Sequence, residues 1–160
     1  MRTILTIFIL SRISFACNFE TELKKAGLEN VSDLLPDASV ALVYAGPENM
    51  FGKPMLSCLR SAYLQKEALE RLKKAEKYLK KRHPSYNFKI LDATRPRSIQ
   101  KKMWAMVVNT PLQPYVANPK RGSMHNYGAA VDITIIDENG NELDMGEPTP
   151  RFKIVDKKPE

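Results

Sequence analysis

The sequence predicts one α+β domain with a mostly antiparallel central sheet and flanking helices. The chain has 160 residues, of which 43% are hydrophobic, and this suits a single domain with a single core. Segments with the period of a strand alternate with segments with the period of a helix. The turn sequence Glu-Asn-Gly-Asn at 138–141 follows the last strand-like segment, which favours an antiparallel hairpin there.

The first half of the chain predicts a short helix, a strand and a long helix. Residues 18–31 indicate a short helix with its exit, and the β-branched and aromatic residues at 39–44 indicate a strand. Residues 59–82 have apolar side chains every three or four positions opposite lysines and glutamates, as in an amphipathic helix. Pro84 ends this helix at His83, because the residue before a proline disfavours the α conformation.

The second half of the chain predicts two more strands and one more helix. Residues 88–91 and 131–136 indicate strands, and Ser98 is placed to cap a helix that continues to Val107. A loop rich in proline and asparagine covers residues 109–122. With the hairpin turn after the last strand, these elements complete the prediction of a small sheet flanked by helices.

The chain is basic, with 25 Lys plus Arg against 18 Asp plus Glu and a net charge of +7. Many of these basic residues fall in the long predicted helix, whose outer face is solvated in any case. They lack the run of interleaved aromatic residues on which nucleic-acid bases would stack. A nucleic-acid partner is therefore not predicted, and the basic face is interpreted as a solvated helix surface.

Residues 1–16 have the pattern of a signal peptide. Arg2 gives a positive start, and residues 3–10 form a short apolar segment. Small residues, Ser14 and Ala16, occupy the two positions that a signal peptidase reads. The sequence therefore predicts an exported protein of the periplasm or cell envelope.

Cys17 stands directly after the predicted cleavage point, where its placement resembles a bacterial lipoprotein acylation site. Lipidation of Cys17 is the one route to a membrane that the sequence suggests, and a plain exported protein is the alternative. The two cysteines of the chain could also form a disulfide in an oxidising compartment. If Cys17 carries a lipid, Cys58 is expected to be a lone and buried thiol.

The segment from Gly122 to Asp132 contains the most informative pattern of side chains. His125 stands at a loop edge and Asp132 in the following strand, and both side chains are good zinc ligands. Seven residues apart, they would face opposite sides of a straight strand, so Gly128 is expected to let the backbone turn sharply between them. Taken alone, the pair is better interpreted as a surface histidine that lies near a strand aspartate, because such pairs are common.

Further context favours a metal site. The pattern Ser-x-His-x-x-Gly-x-Ala-x-Asp at 123–132 resembles the zinc motif of the D-alanyl-D-alanine dipeptidase family. These vancomycin-resistance-type peptidases share a fold with D-Ala-D-Ala carboxypeptidases and hedgehog signalling domains. The segments 91–96 (Leu-Asp-Ala-Thr-Arg-Pro) and 116–122 also resemble the family. The resemblance implies a hedgehog/DD-peptidase-like domain over 17–148, with 149–160 as a short polar tail outside it.

The resemblance implies zinc-dependent hydrolysis of the D-alanyl-D-alanine dipeptide in cell-wall precursor metabolism. His125 and Asp132 correspond to two zinc ligands, and Arg95 to the residue that steadies the oxyanion. A metal at such a site acts as a Lewis acid and acidifies water, and a fixed guanidinium supplies charge-assisted hydrogen bonds to developing negative charge. The alternative for Arg95 is a structural arginine that closes the turn before Pro96.

The resemblance also suggests that Ser123, Asn118 and Tyr127 shape the substrate pocket. Hydrogen bonding within the loop is an equal alternative for these three side chains.

The family's third zinc ligand and its general base come from a Glu-x-x-Trp-His motif that the sequence lacks. The chain has two histidines, His83 and His125, and its one tryptophan is Trp104 in the helix after Arg95. His83 is interpreted as a solvated residue at a helix end rather than a ligand. The domain is therefore expected to be incomplete at its C-terminus, and the alternative function is an inactive relic or a D-Ala-binding module.

Expression in a bacterium tests the predicted export. We expect the mature protein outside the cytoplasm, with an N-terminus at or near Cys17, because the signal pattern ends at Ala16. Intact-mass measurement of the purified protein checks this, and a diacylglycerol on Cys17 would establish the lipid anchor. A soluble cytoplasmic protein that keeps Met1 would show that the export prediction is wrong.

Overall fold

A computed structural model describes residues 18–146 of the chain. The predicted signal peptide, Cys17 and the polar tail at 149–160 lie outside the described residues. The described part contains four α-helices: α1 (Phe19–Lys25), α2 (Val31–Leu34), α3 (Lys66–Arg82) and α4 (Arg97–Val107). It also contains five strands: β1 (Glu29–Asn30), β2 (Ser39–Val40), β3 (Tyr63–Leu64), β4 (Asn87–Asp92) and β5 (Asp132–Ile136). None of these helices combines the length and the apolarity that crossing a membrane requires.

The predicted mixture of helices and strands is confirmed, but the central sheet is mixed rather than mostly antiparallel. Its strand order is β2-β4-β5, with β2 parallel to β4 and β5 antiparallel to β4. The connection from β2 to β4 passes through α3, and a helical crossover of this kind returns the chain in the same direction. A separate two-stranded antiparallel sheet joins β1 and β3.

Two predicted elements near the N-terminal half are shorter than the local pattern indicates. The strand predicted at 39–44 ends at Val40, and Val43–Ala45 forms a 3₁₀ helix instead. The helix predicted from residue 59 begins at Lys66, because Tyr63 and Leu64 form a strand against β1. Pairing with a distant segment therefore overrides the local helical spacing.

Helix α4 begins one residue before the predicted cap. Pro96 is the N-cap residue, with φ −60° and ψ 146°, and Ser98 lies inside the helix. The fixed φ of proline suits this entry, so no side-chain cap is formed, and the prediction for Ser98 is wrong. The predicted end at Val107 is confirmed.

Cys58 is exposed rather than buried, so the expected burial is wrong. Its sulfur is in a disulfide bond, which agrees with the disulfide that the sequence allows. The lone thiol is expected only if Cys17 carries a lipid, and Cys17 lies outside the described residues.

The core beneath the sheet sets the orientation of one polar residue. Alternate side chains of β4 point inward, so Phe88, Ile90 and Asp92 are all buried. Leu69 and Leu72 of α3 are buried in the same cluster as Phe88 and Ile90. The alternation therefore carries the carboxylate of Asp92 inward at the end of the strand.

Candidate metal centre

The end of β4 and the start of β5 place two carboxylates beside each other. In the antiparallel register of these strands Asp92 lies opposite Asp132, after an irregularity between Ile90 and Asp92. Directly opposed like charges destabilise a strand pair unless a positive charge lies between or beside them. Positive charge near Asp92 and Asp132 therefore stabilises this edge of the sheet.

His125 lies on a 3₁₀ helix, Met124–Tyr127, immediately before β5. Its Nδ1 is 2.8 Å from the carbonyl oxygen of Ala93. Because a carbonyl oxygen only accepts hydrogen bonds, Nδ1 carries a proton, and in the neutral ring Nε2 therefore has the lone pair that a metal would need. That Nε2 is 3.5 Å from Oδ1 of Asp132. The structure thus brings together the two residues that the motif proposed as zinc ligands.

Gly128 makes this approach of His125 and Asp132 feasible. It has φ +67°, a left-handed conformation that favours glycine, and its amide N–H bonds the His125 carbonyl at 3.4 Å. A Cβ at this position would lie 2.7 Å from Leu28 Cδ2 and 2.9 Å from Thr94 Oγ1. The predicted sharp turn between the two side chains is confirmed.

Arg95 is held beside these groups by three neighbours. Its Nε is 2.9 Å from Oδ2 of Asp92, and both side chains are nearly buried. One terminal nitrogen, Nη1, is 3.2 Å from the sulfur of Met103, and the guanidinium carbon lies 5.4 Å from the ring centroid of Tyr44. The structure brings Arg95 into the same group as the two predicted metal ligands.

Burial and charge shift the pKa of each acidic or basic group here. Burial raises the pKa of Asp92 to about 6, although the positive charges of Arg95 and His125 oppose the rise. Burial by itself would lower the pKa of His125, but the hydrogen bond with Asp132 and the charge of Asp92 raise it overall. For Asp132 burial acts upward, while the bond and charge of His125 lower its pKa overall. Asp132 therefore stays ionised near neutral pH.

The donor set fits a zinc ion. Within residues 18–146, ligand atoms of Asp92, His125 and Asp132 all lie within 4.8 Å of one another. Two ligands at about 2.1 Å from a tetrahedral zinc are roughly 3.4 Å apart, close to the observed 3.5 Å between His125 Nε2 and Asp132 Oδ1. With a neutral imidazole, the two carboxylates outnumber the single guanidinium of Arg95, which favours a bound cation.

The three predicted pocket residues have structural roles nearby. Ser123 caps the 3₁₀ helix through its hydroxyl, and its N–H bonds Oδ1 of Asn126 at 2.9 Å. Asn118 Oδ1 accepts the Lys120 N–H at 2.9 Å inside the preceding loop. Tyr127 is half exposed. These contacts agree with loop hydrogen bonding for Ser123 and Asn118, and a contact of any of the three with substrate stays a prediction.

His83 lies outside this group, as expected. It is the C-cap residue of α3, and its ring stacks on Tyr86 at a centroid distance of 4.8 Å.

Asp92, Tyr44 and Met103 are the residues that sequence reasoning missed. Asp92 carried a usable signal, because strand alternation from Phe88 and Ile90 points it toward the core. Tyr44 and Met103 carried none, since their contacts with the guanidinium arise from segments far apart in the chain.

A histidine and an aspartate aimed at one point, beside a clamped arginine, are side chains of the kind that metal-dependent hydrolases use. Residues 24–152 match the family model of the M15 peptidases, described as D-ala-D-ala dipeptidase. The chain belongs to this family. It is 34% identical over 119 residues to the D-alanyl-D-alanine dipeptidase of Escherichia coli strain K12. That match covers 74% of this chain and 58% of the length of that relative.

Replacement of Gly128 tests the turn that aligns the site. Gly128→Ala should lower the free energy of unfolding by roughly 2–6 kcal/mol, because left-handed strain and overpacking each cost about 1–3 kcal/mol. Gly140→Ala is the matched control, since Gly140 has φ +81° but no neighbour within 4 Å of an added Cβ. Urea unfolding of both variants measures the difference. Equal losses for the two variants would show that the packing around Gly128 is not tight.

Proposed function

We propose that this protein functions in zinc-dependent hydrolysis of the D-alanyl-D-alanine dipeptide. The family membership and the Escherichia coli relative support a peptidase. The observation that carries the proposal is the geometry of His125 Nε2 and Asp132 Oδ1, 3.5 Å apart and next to Arg95. Export to the cell envelope, where such a dipeptide would be met, is part of the proposal.

In this proposal His125 and Asp132 hold the zinc, which supplies a Lewis acid and an acidified water. The Ala93 carbonyl fixes the imidazole in the tautomer that leaves Nε2 available for the metal. Arg95 donates to the oxyanion that develops when the scissile carbonyl is attacked, and its clamped position keeps that donor in place. The side chains of His125 and Arg95 are thus both oriented by contacts within the protein before any substrate binds.

A general base has no clear candidate among the described residues. Glu142 is paired with Lys89 at 3.1 Å, and Asp137 accepts hydrogen bonds from the turn at Asn139 and Asn141. Asp144 accepts from the nearby Gly146 N–H at 2.9 Å. These three carboxylates, which follow β5, are thus engaged in local structure.

Zinc binding and D-alanine release test the proposal. We expect the 160-residue chain to bind zinc weakly and to hydrolyse D-alanyl-D-alanine negligibly, because residues 18–146 offer the two proposed ligands and no positioned base. A C-terminal extension with a family-like Glu-x-x-Trp-His segment should give stoichiometric zinc and measurable D-alanine release. Calorimetric titration with zinc and an assay of free D-alanine provide the two readouts.

His125→Ala should abolish zinc binding in both forms, whereas the control His83→Ala should leave it unchanged. Robust turnover by the unextended chain would mean that a carboxylate already present acts as the base. Stoichiometric zinc without turnover in the extended chain would favour the alternative of a D-Ala-binding module.

Arg95→Ala in the extended, active chain tests the assigned donor. Loss of one oxyanion donor typically costs about 10²–10³ in kcat, so we expect a decrease of that size with zinc content intact. Arg97→Ala is the control, because it removes the same charge two residues away, where Nη2 contacts the Pro119 carbonyl at 3.4 Å. A normal kcat per folded molecule in the Arg95 variant would rule out the assigned role.

A further inference from the structure

We infer that Asp92 is a positioning residue whose single carboxylate orients both Arg95 and His125. The inference rests on the proposed function, since it concerns how the metal ligand and the oxyanion donor are held. Asp92 is 2% exposed, and its Oδ2 lies 2.9 Å from Arg95 Nε and 3.5 Å from His125 Nδ1. One oxygen atom therefore stands between the two groups whose alignment the reaction requires.

The contact with Arg95 is an ion pair that fixes one edge of the guanidinium. Neither Asp92 Oδ2 nor Arg95 Nε has a hydrogen bond of good geometry within the described residues, so charge attraction dominates the contact. Met103 contacts Nη1 and the ring of Tyr44 lies near the guanidinium carbon. These three contacts leave Nη2 without a hydrogen bond to any described residue. Nη2 is therefore available to donate to a ligand.

The contact with His125 lies on the side of the ring away from the metal position. Nδ1 donates its proton to Ala93, and the negative charge of Asp92 at 3.5 Å favours the proton on that same nitrogen. Nε2 is then the nitrogen that faces Asp132. The Asp92 carboxylate contacts Arg95 and the Nδ1 side of the His125 ring. It is therefore placed to orient His125 as a metal ligand rather than to bind the metal itself.

Two hydrogen bonds to backbone carbonyls connect the segment that carries Arg95 to the segment that carries His125. The Arg95 N–H donates to the His125 carbonyl at 2.9 Å, and the side-chain amide of Asn126 donates to the Arg95 carbonyl at 3.1 Å. The backbone sets the spacing of the two segments, and Asp92 sets the orientation of the side chains that they carry. Loss of the Asp92 charge should therefore affect both side chains at once.

Nuclear magnetic resonance of the 160-residue chain tests the arginine contact without any need for activity. The Nε–Hε correlation of Arg95, assigned through Arg95→Lys, should be resolved from those of exposed arginines and should exchange slowly with solvent. In Asp92→Asn the Arg95 correlation should shift to the chemical-shift range of the exposed arginines. Its Hε should exchange with solvent at least about ten-fold faster. An averaged, fast-exchanging Arg95 signal in the unaltered chain would overturn the inference, and this measurement needs no variant of Asp92.

Cobalt(II) titration of the same proteins tests the histidine contact. Loss of an outer carboxylate typically costs about 10–100-fold in metal affinity, so Asp92→Asn should bind cobalt weaker by that factor. At saturating cobalt the visible absorption bands should keep their positions, because the ligands are unchanged. A shift of those bands would show that Asp92 is itself a ligand, and an affinity within two-fold of the unaltered chain would also overturn the inference.

Gln100→Met is the matched control for a merely structural effect. Gln100 is 1% exposed and donates to the Ala117 carbonyl at 2.8 Å, so its loss removes a comparably buried polar group. It should lower stability but change neither the Arg95 signal nor the cobalt affinity. His125→Ala distinguishes the proposed metal site from the proposed positioning role of Asp92. Unchanged cobalt binding in that variant would overturn the proposed metal site, whereas the Arg95 signal would still decide the contact with Asp92.

Discussion

The buried carboxylate of Asp92 is the group around which the rest of the site is arranged. Strand alternation in β4 carries it inward behind Phe88 and Ile90, where an unpaired charge would be costly. Arg95, three residues later, supplies the compensating positive charge at 2.9 Å. Because that ion pair lies between the sheet and the segment carrying His125, the orientation of the whole site depends on it.

The electrostatic balance of the site supports the proposal that it binds a cation. Two carboxylates meet across the β4–β5 register, one buried and one exposed. Arg95 compensates the buried one, and His125 adds positive charge near both carboxylates only when its ring is protonated. The exposed Asp132, whose pKa is held low by the hydrogen bond and charge of His125, stays ionised next to Nε2 of the imidazole. Such a pair is the chemistry that a divalent metal with oxygen and nitrogen ligands selects.

Backbone conformation contributes as much as side-chain chemistry. The left-handed Gly128 sits between Leu28 and Thr94 without room for a Cβ, and its carbonyl accepts the Gln65 N–H at 2.7 Å. The turn that aligns His125 with Asp132 is thus packed against the start of α3. The proposed metal site is consequently attached to the core on one side and exposed on the other.

The sequence by itself predicted the alternation of helices and strands and the turn at Gly128 between His125 and Asp132. Those features depend on local periodicity and on a short motif, which a single segment contains. Only the tertiary structure decided the parallel pairing of β2 with β4, the start of α3 at Lys66 and the central place of Asp92. The reason is that strand pairing and ion pairing join residues distant in the chain, and their geometry is fixed only when the core closes around them.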